Sequence, residues 1–191
     1  MRALTLTLGA LAAVSLPRQG VAQESVTFNN VVLPSQIDVD GTTLVLNGYA
    51  MRKKFIIKVY VAALYVSTKT NNADQILAAD TPRRMFFSFI YGVHKNQLCD
   101  AWNEGLENNT PSASAELKAQ FETLCGYMTD MKKADLMLIT YHPGTGTTIK
   151  IRGELKGTIP GKEFADALLR SWIGVKPGPG EGFKKKILGE Q

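Results

Sequence analysis

Cysteine and histidine are scarce: the 191-residue chain holds two of each. Cys99 and Cys125 do not form a Cys-x-x-Cys spacing, and His94 and His142 stand apart, with no Ser or Cys motif around them. Zinc binding, thiol redox chemistry and a His-activated nucleophile are therefore left without a residue set, and ordinary surface or capping roles suit both histidines. Long apolar runs are lacking as well. The one at residues 4–16 is too short to span a bilayer, and nothing later approaches that length, so no integral membrane span is expected. An excess of charge is also missing: 22 basic residues face 17 acidic ones, and the only basic cluster, Lys184, Lys185 and Lys186, reads as a solvated helix face rather than a nucleic-acid patch. The stretch Gly144-Thr145-Gly146-Thr147-Thr148 lacks the lysine of a phosphate loop and opens no helix, so it reads as a hairpin turn. No cofactor is implied.

The first 22 residues have the form of an export signal: Arg2, then a short apolar run, then Pro17, Gly20 and Ala22 before a polar stretch. We expect an exported protein, periplasmic or secreted, whose mature part is one domain over residues 23–191. Without Arg2 and Arg18 the basic residues number 20, still against 17 acidic. Export would also give Cys99 and Cys125 access to an oxidant, so a disulfide between them is possible.

Strand signals come first. Residues 25–28, 37–39 and 42–46 are short strand candidates, with Asp40-Gly41 a hairpin turn and Asn47-Gly48 a second break. Over residues 55–66, Ile57, Val59, Val61, Ala63 and Tyr65 alternate with Ile56, Lys58, Tyr60, Ala62 and Leu64. Both sets are largely apolar, which predicts a central strand covered on two sides. A short helix at 73–79 and a strand at 84–91 follow, the latter with Met85, Phe87, Phe89 and Tyr91 on one face.

The period then changes. Leu98, Trp102 and Leu106 lie four apart on a helix starting near His94, and a second helix, capped by Thr110 with Pro111 in its first turn, would bury Leu117, Phe121, Leu124, Cys125 and Met128. This αα-hairpin would bring Cys99 and Cys125 together. Residues 136–141, 148–152 and 155–159 read as antiparallel strands. A third helix over 161–173 precedes the rigid turn Pro177-Gly178-Pro179-Gly180 and a short segment over 183–188. The order does not alternate as βαβ units, so the fold class is α+β, an antiparallel sheet with helices packed on one face.

Arg52 lies at the mouth of the most apolar strand, and a guanidinium there is a ready anchor for a carboxylate or phenolate. Residues 46–66, from Leu46-Asn47-Gly48-Tyr49-Ala50-Met51-Arg52 to Leu64-Tyr65-Val66, resemble the signature of the chalcone-isomerase-like family. Ala101-Trp102-Asn103-Glu104-Gly105-Leu106 and the ending from Ser171-Trp172-Ile173-Gly174 through Phe183-Lys184 to Leu188-Gly189 are similar to its later landmarks. The resemblance spans the mature chain and implies a ligand cleft between sheet and helices.

Plant enzymes of that family close a 2′-hydroxychalcone to a flavanone. The resemblance puts Arg52 at their phenolate-binding arginine and Ser171 at a cleft hydroxyl. It also puts Leu98 at their catalytic tyrosine, Gly105 at an active-site asparagine and Tyr60 at a threonine of the water network. Without the proton path, efficient cyclisation is not expected. The pair Arg52 and Tyr60 is instead similar to the arginine and tyrosine with which fatty-acid-binding members hold a carboxylate. The expectation is thus a binder of a small amphipathic acid, its chain among Ile56, Ala62 and Leu64. A low-efficiency isomerase acting on a flavonoid-like ligand, with Arg52 and Ser171 as its catalytic residues, is the alternative, and a structural or partner-binding envelope protein a third.

Overall fold

The computed structural model describes residues 24–190; the expected export signal lies outside them. Its order is β1 (Ser25–Phe28), β2 (Val31–Pro34), β3 (Gln36–Val39), β4 (Thr42–Lys54), β5 (Ile57–Val66), α1 (Ala73–Ala78), β6 (Arg83–Phe89), α2 (Lys95–Asn109), α3 (Ala115–Tyr127), β7 (Leu136–His142), β8 (Gly146–Ile151), β9 (Glu154–Ile159), α4 (Lys162–Ile173) and α5 (Glu181–Ile187). Strands β3 to β9 form one seven-stranded antiparallel sheet in chain order, and β1 and β2 form a separate hairpin. No helix among the described residues is long and apolar enough to cross a membrane.

The two-faced reading of β5 explains the layering. Ala62, Leu64 and Val66 point into the main core with Phe87, Phe121, Phe164 and Trp172, under the helices. Val61, Ala63 and Tyr65 point the other way, into a second core closed by Leu33 of the β1–β2 hairpin. A sheet apolar on both faces must be covered on both. Phe87, Phe121 and Phe164 are at most 1% exposed, and truncating one such ring to Ala costs about 3–5 kcal/mol.

Three local expectations are corrected. Asn47-Gly48 does not end a strand: β4 runs through it with a shift of register between Leu46 and Gly48. Asn47 is the extra residue of this bulge. Its side chain donates to Ile187 O (3.2 Å) and accepts from Thr70 N (2.9 Å). Gly48 has no side chain because one would collide with the carbonyl oxygens of Lys186 and Ile187, so the end of α5 lies directly on the strand.

Thr110 does not open α3 but closes α2, its N–H on Leu106 O, and the cap of α3 is Ser114, whose Oγ accepts from Leu117 N (3.1 Å). Pro111 follows a helix end because it cannot continue the ladder of hydrogen bonds. The third correction concerns Phe55 and Ile56. They form the two-residue connection between β4 and β5, with Lys54 opposite Ile57 and Phe55 in the left-handed region (φ 55°). Ile56 is thus 94% exposed, at a hairpin tip and not in the interior where an acyl chain was expected.

Candidate ligand-binding site

Arg52 and Tyr60 are directly opposed across the β4–β5 pairing, so strand geometry puts both on the face that packs against the helices. The half-buried Tyr60 ring is held by aromatic edges, with Phe87, Phe89 and Phe183 at centroid distances of 5.3, 5.7 and 6.4 Å. Trp172 of α4 donates its indole N–H to the Tyr60 oxygen (3.1 Å). Burial raises the Tyr60 phenol above its ordinary range, opposed by the Trp172 hydrogen bond and by the Arg52 charge, both of which favour the phenolate. The group is a neutral phenol at physiological pH. With its oxygen accepting from Trp172, its proton is available for a further acceptor.

Arg52 Nη1 donates to Gly178 O at 2.8 Å. The carbonyl comes from the turn after α4, which is fixed from both sides. Gly178 N donates to Ser171 O (2.9 Å), and Asn109 Oδ1 accepts from Lys176 N (2.8 Å). Lys184 Nζ reaches Gly174 O (2.9 Å).

The positions that resemblance put in an enzyme cleft do meet, but without polar chemistry. Ser171 lies against Gly105: any side chain at Gly105 would collide with the Ser171 hydroxyl, which is buried and has no hydrogen-bond partner among the described residues. Leu98 belongs to the main core, 5% exposed. The space beside them is filled by Trp102 and Trp172, whose rings are 5.3 Å apart, and by Phe87, 5.2 Å from Trp172.

Around Arg52 and Tyr60 the layer between sheet and helices is closely packed. Four cavities among the described residues have neither Arg52 nor Tyr60 in their walls. One of about 20 Å³ lies in the same layer, between Leu64, Met85, Leu168 and Trp172. The roomiest of these four, about 630 Å³, is elsewhere, among Phe28, Tyr49, Lys69 and Lys186.

The possible disulfide is a corrected expectation: Cys99 and Cys125 are neighbours but both are free thiols. Burial and the neighbouring Cys99 push the Cys125 thiol up to about 12. The two helices thus bring the cysteines together. His94 is the N-cap of α2, with Asp130 3.4 Å from its Nδ1, and His142 stands 3.1 Å from Asp40.

Trp172 and Gly178 are the contributors that the sequence did not disclose. Trp172 stood in the apolar stripe of its helix, and only the need of a buried indole N–H for an acceptor could have pointed to a polar role. A carbonyl partner for Arg52 leaves no trace in side-chain identity.

Comparison with curated protein sequences gives no match. Among solved structures, a crystal structure of a fatty-acid binding protein from Arabidopsis thaliana superposes with a TM-score of 0.68 at 19% identity, covering 86% of this chain and 96% of the other, a likeness of fold. The sequence model of the family described as chalcone isomerase-like matches residues 25–189. From the first strand of the β1–β2 hairpin to the glycine after α5, the chain belongs to the chalcone isomerase-like family.

Proposed function

We propose that the protein binds a small amphipathic carboxylate of fatty-acid type, with its head on Arg52 and Tyr60. One observation carries this reading: Arg52 already holds a carbonyl oxygen, that of Gly178, while the opposed Tyr60 keeps a phenolic proton to donate. A carboxylate offers the guanidinium the same kind of oxygen with a full charge, so it competes favourably with the carbonyl. Binding would displace Gly178 and move the turn after α4. The acyl chain would then follow the apolar side of α4, past Trp172 and into the small void beside Leu64 and Leu168. The Arabidopsis protein, named for fatty-acid binding, lends the reading support by analogy of fold.

Calorimetry with a long-chain fatty acid on delipidated protein tests it. A charge-assisted hydrogen bond contributes about 1.5–3 kcal/mol, so Arg52→Ala should weaken binding by roughly ten- to a hundred-fold. Tyr60→Phe should weaken it less, because the ring and its packing remain. The methyl ester of the same acid should lose most of the affinity on the parent protein and little more on Arg52→Ala. Equal affinity of the parent and Arg52→Ala for the free acid would return Arg52 to the role of a tether for the Gly178 turn.

A further inference from the structure

The two most exposed large apolar side chains among the described residues are neighbours: Ile56 at 94% and Phe55 at 91%, followed by Ile57 at 42%. They form the tip of the β4–β5 hairpin, where Phe55 adopts a left-handed backbone (φ 55°) that bulky residues rarely take. An apolar pair in a costly turn is not what solubility or hairpin chemistry selects, since Asn-Gly or Asp-Gly would form the turn without strain. The strands leading to the tip carry Arg52, Lys53, Lys54 and Lys58, and no acidic residue occurs between Asp40 and Asp74. Lys53 and Lys54 are exposed, with no ion-pair partner among the described residues, and Lys58 donates to the Asn29 side-chain oxygen (3.0 Å).

Two further exposed apolar groups belong to loops fastened to this hairpin. Tyr91, 56% exposed, gives its N–H to Val59 O (3.2 Å). Val175, 84% exposed, sits on the turn that Arg52 holds through Gly178.

We infer that this hairpin tip is a docking point for an anionic lipid bilayer, with Phe55 and Ile56 entering the headgroup–acyl boundary and Lys53, Lys54 and Lys58 contacting lipid phosphates. An apolar wedge within a basic collar matches that boundary, where apolar burial and attraction to anionic headgroups act together. A folded protein partner fits less well, because two or three side chains offer far less than the area of a stable interface. A second copy would bring a like-charged collar against this one. The inference does not depend on what Arg52 and Tyr60 bind.

Flotation of the full chain with phosphatidylcholine vesicles, with and without phosphatidylglycerol, is the experiment. The protein should float with the anionic vesicles and remain behind with the neutral ones. Phe55→Asn combined with Ile56→Ser should lower partitioning ten-fold or more, and Lys53→Gln with Lys54→Gln about ten- to thirty-fold. Ile56→Trp should show an emission blue shift on anionic vesicles alone, against a background of Trp102 and Trp172 at 5% and 2% exposure. Because these side chains touch solvent, unchanged thermal melts would show that the variants stay folded. Tyr60→Phe should float like the parent, whatever its effect on acid binding. Absence of flotation, equal flotation with neutral vesicles, or flotation that survives the Phe55/Ile56 change would overturn the inference. So would vesicle-free dimerisation abolished by that change, which would identify a second copy as the occupant.

Discussion

Ser171 and Gly105 illustrate how one atom decides a contact. The α2–α4 crossing is so close that Gly105 must lack a side chain, and the Ser171 hydroxyl occupies the space a methyl would need. A buried hydroxyl without a partner carries a desolvation cost of about 1–3 kcal/mol. Ser171→Ala should accordingly leave stability unchanged or raise it by about 1 kcal/mol in a denaturant titration. Gly105→Ala should lower it by about 1–3 kcal/mol despite the better helix propensity of Ala, and Ser171→Gly in the same chain should recover part of the loss. Additive effects of the two changes would show that Gly105 and Ser171 are not in contact. With Leu98 and Gly105 unable to relay a proton, an absorbance assay with a 2′-hydroxychalcone should show no cyclisation above the spontaneous rate. Turnover to a single flavanone enantiomer, lost in Arg52→Ala, would reverse that expectation.

Elements were legible in the sequence wherever one periodicity ran without interruption. The alternation on β5 disclosed both cores, and the stripe Leu98, Trp102, Leu106 disclosed α2 with its buried face. Ends were harder, because Thr110-Pro111 can open a helix or follow one, and only the Ser114 cap separates the cases. The Asn47 bulge was hidden because its partners lie at Thr70 and Ile187, far along the chain. In the candidate site, Arg52 and Tyr60 were singled out by resemblance and by the strand parity of Tyr60, whereas Gly178 and Trp172 depend on how α4 and its following turn settle on the sheet. The αα-hairpin adds a chemical test. A thiol pushed to about 12 has very little thiolate at pH 8, so Cys125 in the reduced fold should alkylate on the order of a thousand-fold more slowly than an ordinary thiol. Mass spectrometry after timed iodoacetamide treatment reads this out. Fast labelling of Cys125 before unfolding would contradict its burial beside Cys99.

Across the whole molecule, the most consequential polar cluster fastens α1, β6 and α4 together. Arg83, 4% exposed, pairs with Asp166, donates to Ile76 O (3.2 Å) and lies 4.8 Å over the Tyr141 ring. Lys162 pairs with the same carboxylate at 2.6 Å and reaches Leu77 O. Asp166→Asn leaves a buried guanidinium without its counter-charge and should cost about 3–5 kcal/mol. A chemical denaturation midpoint close to the parent's would show that water reaches Arg83.

The alkaline limit follows from two phenols. Burial pushes Tyr65 up to about 12, and burial with the nearby Asp80 carboxylate does the same for Tyr141, whose hydroxyl donates to Asp80 at 2.5 Å. In the unfolded chain both titrate near 10. Their contribution is therefore complete below about pH 10 and is lost as pH rises through about 12. Denaturation midpoints should be flat up to about pH 10 and fall beyond it, less steeply in Tyr141→Phe, which no longer ionises there. An equal fall in that variant would assign the alkaline limit to other groups.

The contact between Gly48 and the end of α5 also sets an order in time. Asn47 meets Ile187 across 140 residues of chain, and the oxygens of Lys186 and Ile187 rest where Gly48 has no side chain. Loop closure over such a distance is slow, and neither partner can wait in its final place without the other. In folding, the bulge in β4 must therefore stay unsealed until the segment through Gly189 has docked on it. In refolding from denaturant, the chain should remain sensitive to protease around Asn47 late into the reaction, and become resistant only as the turn after α5 seats.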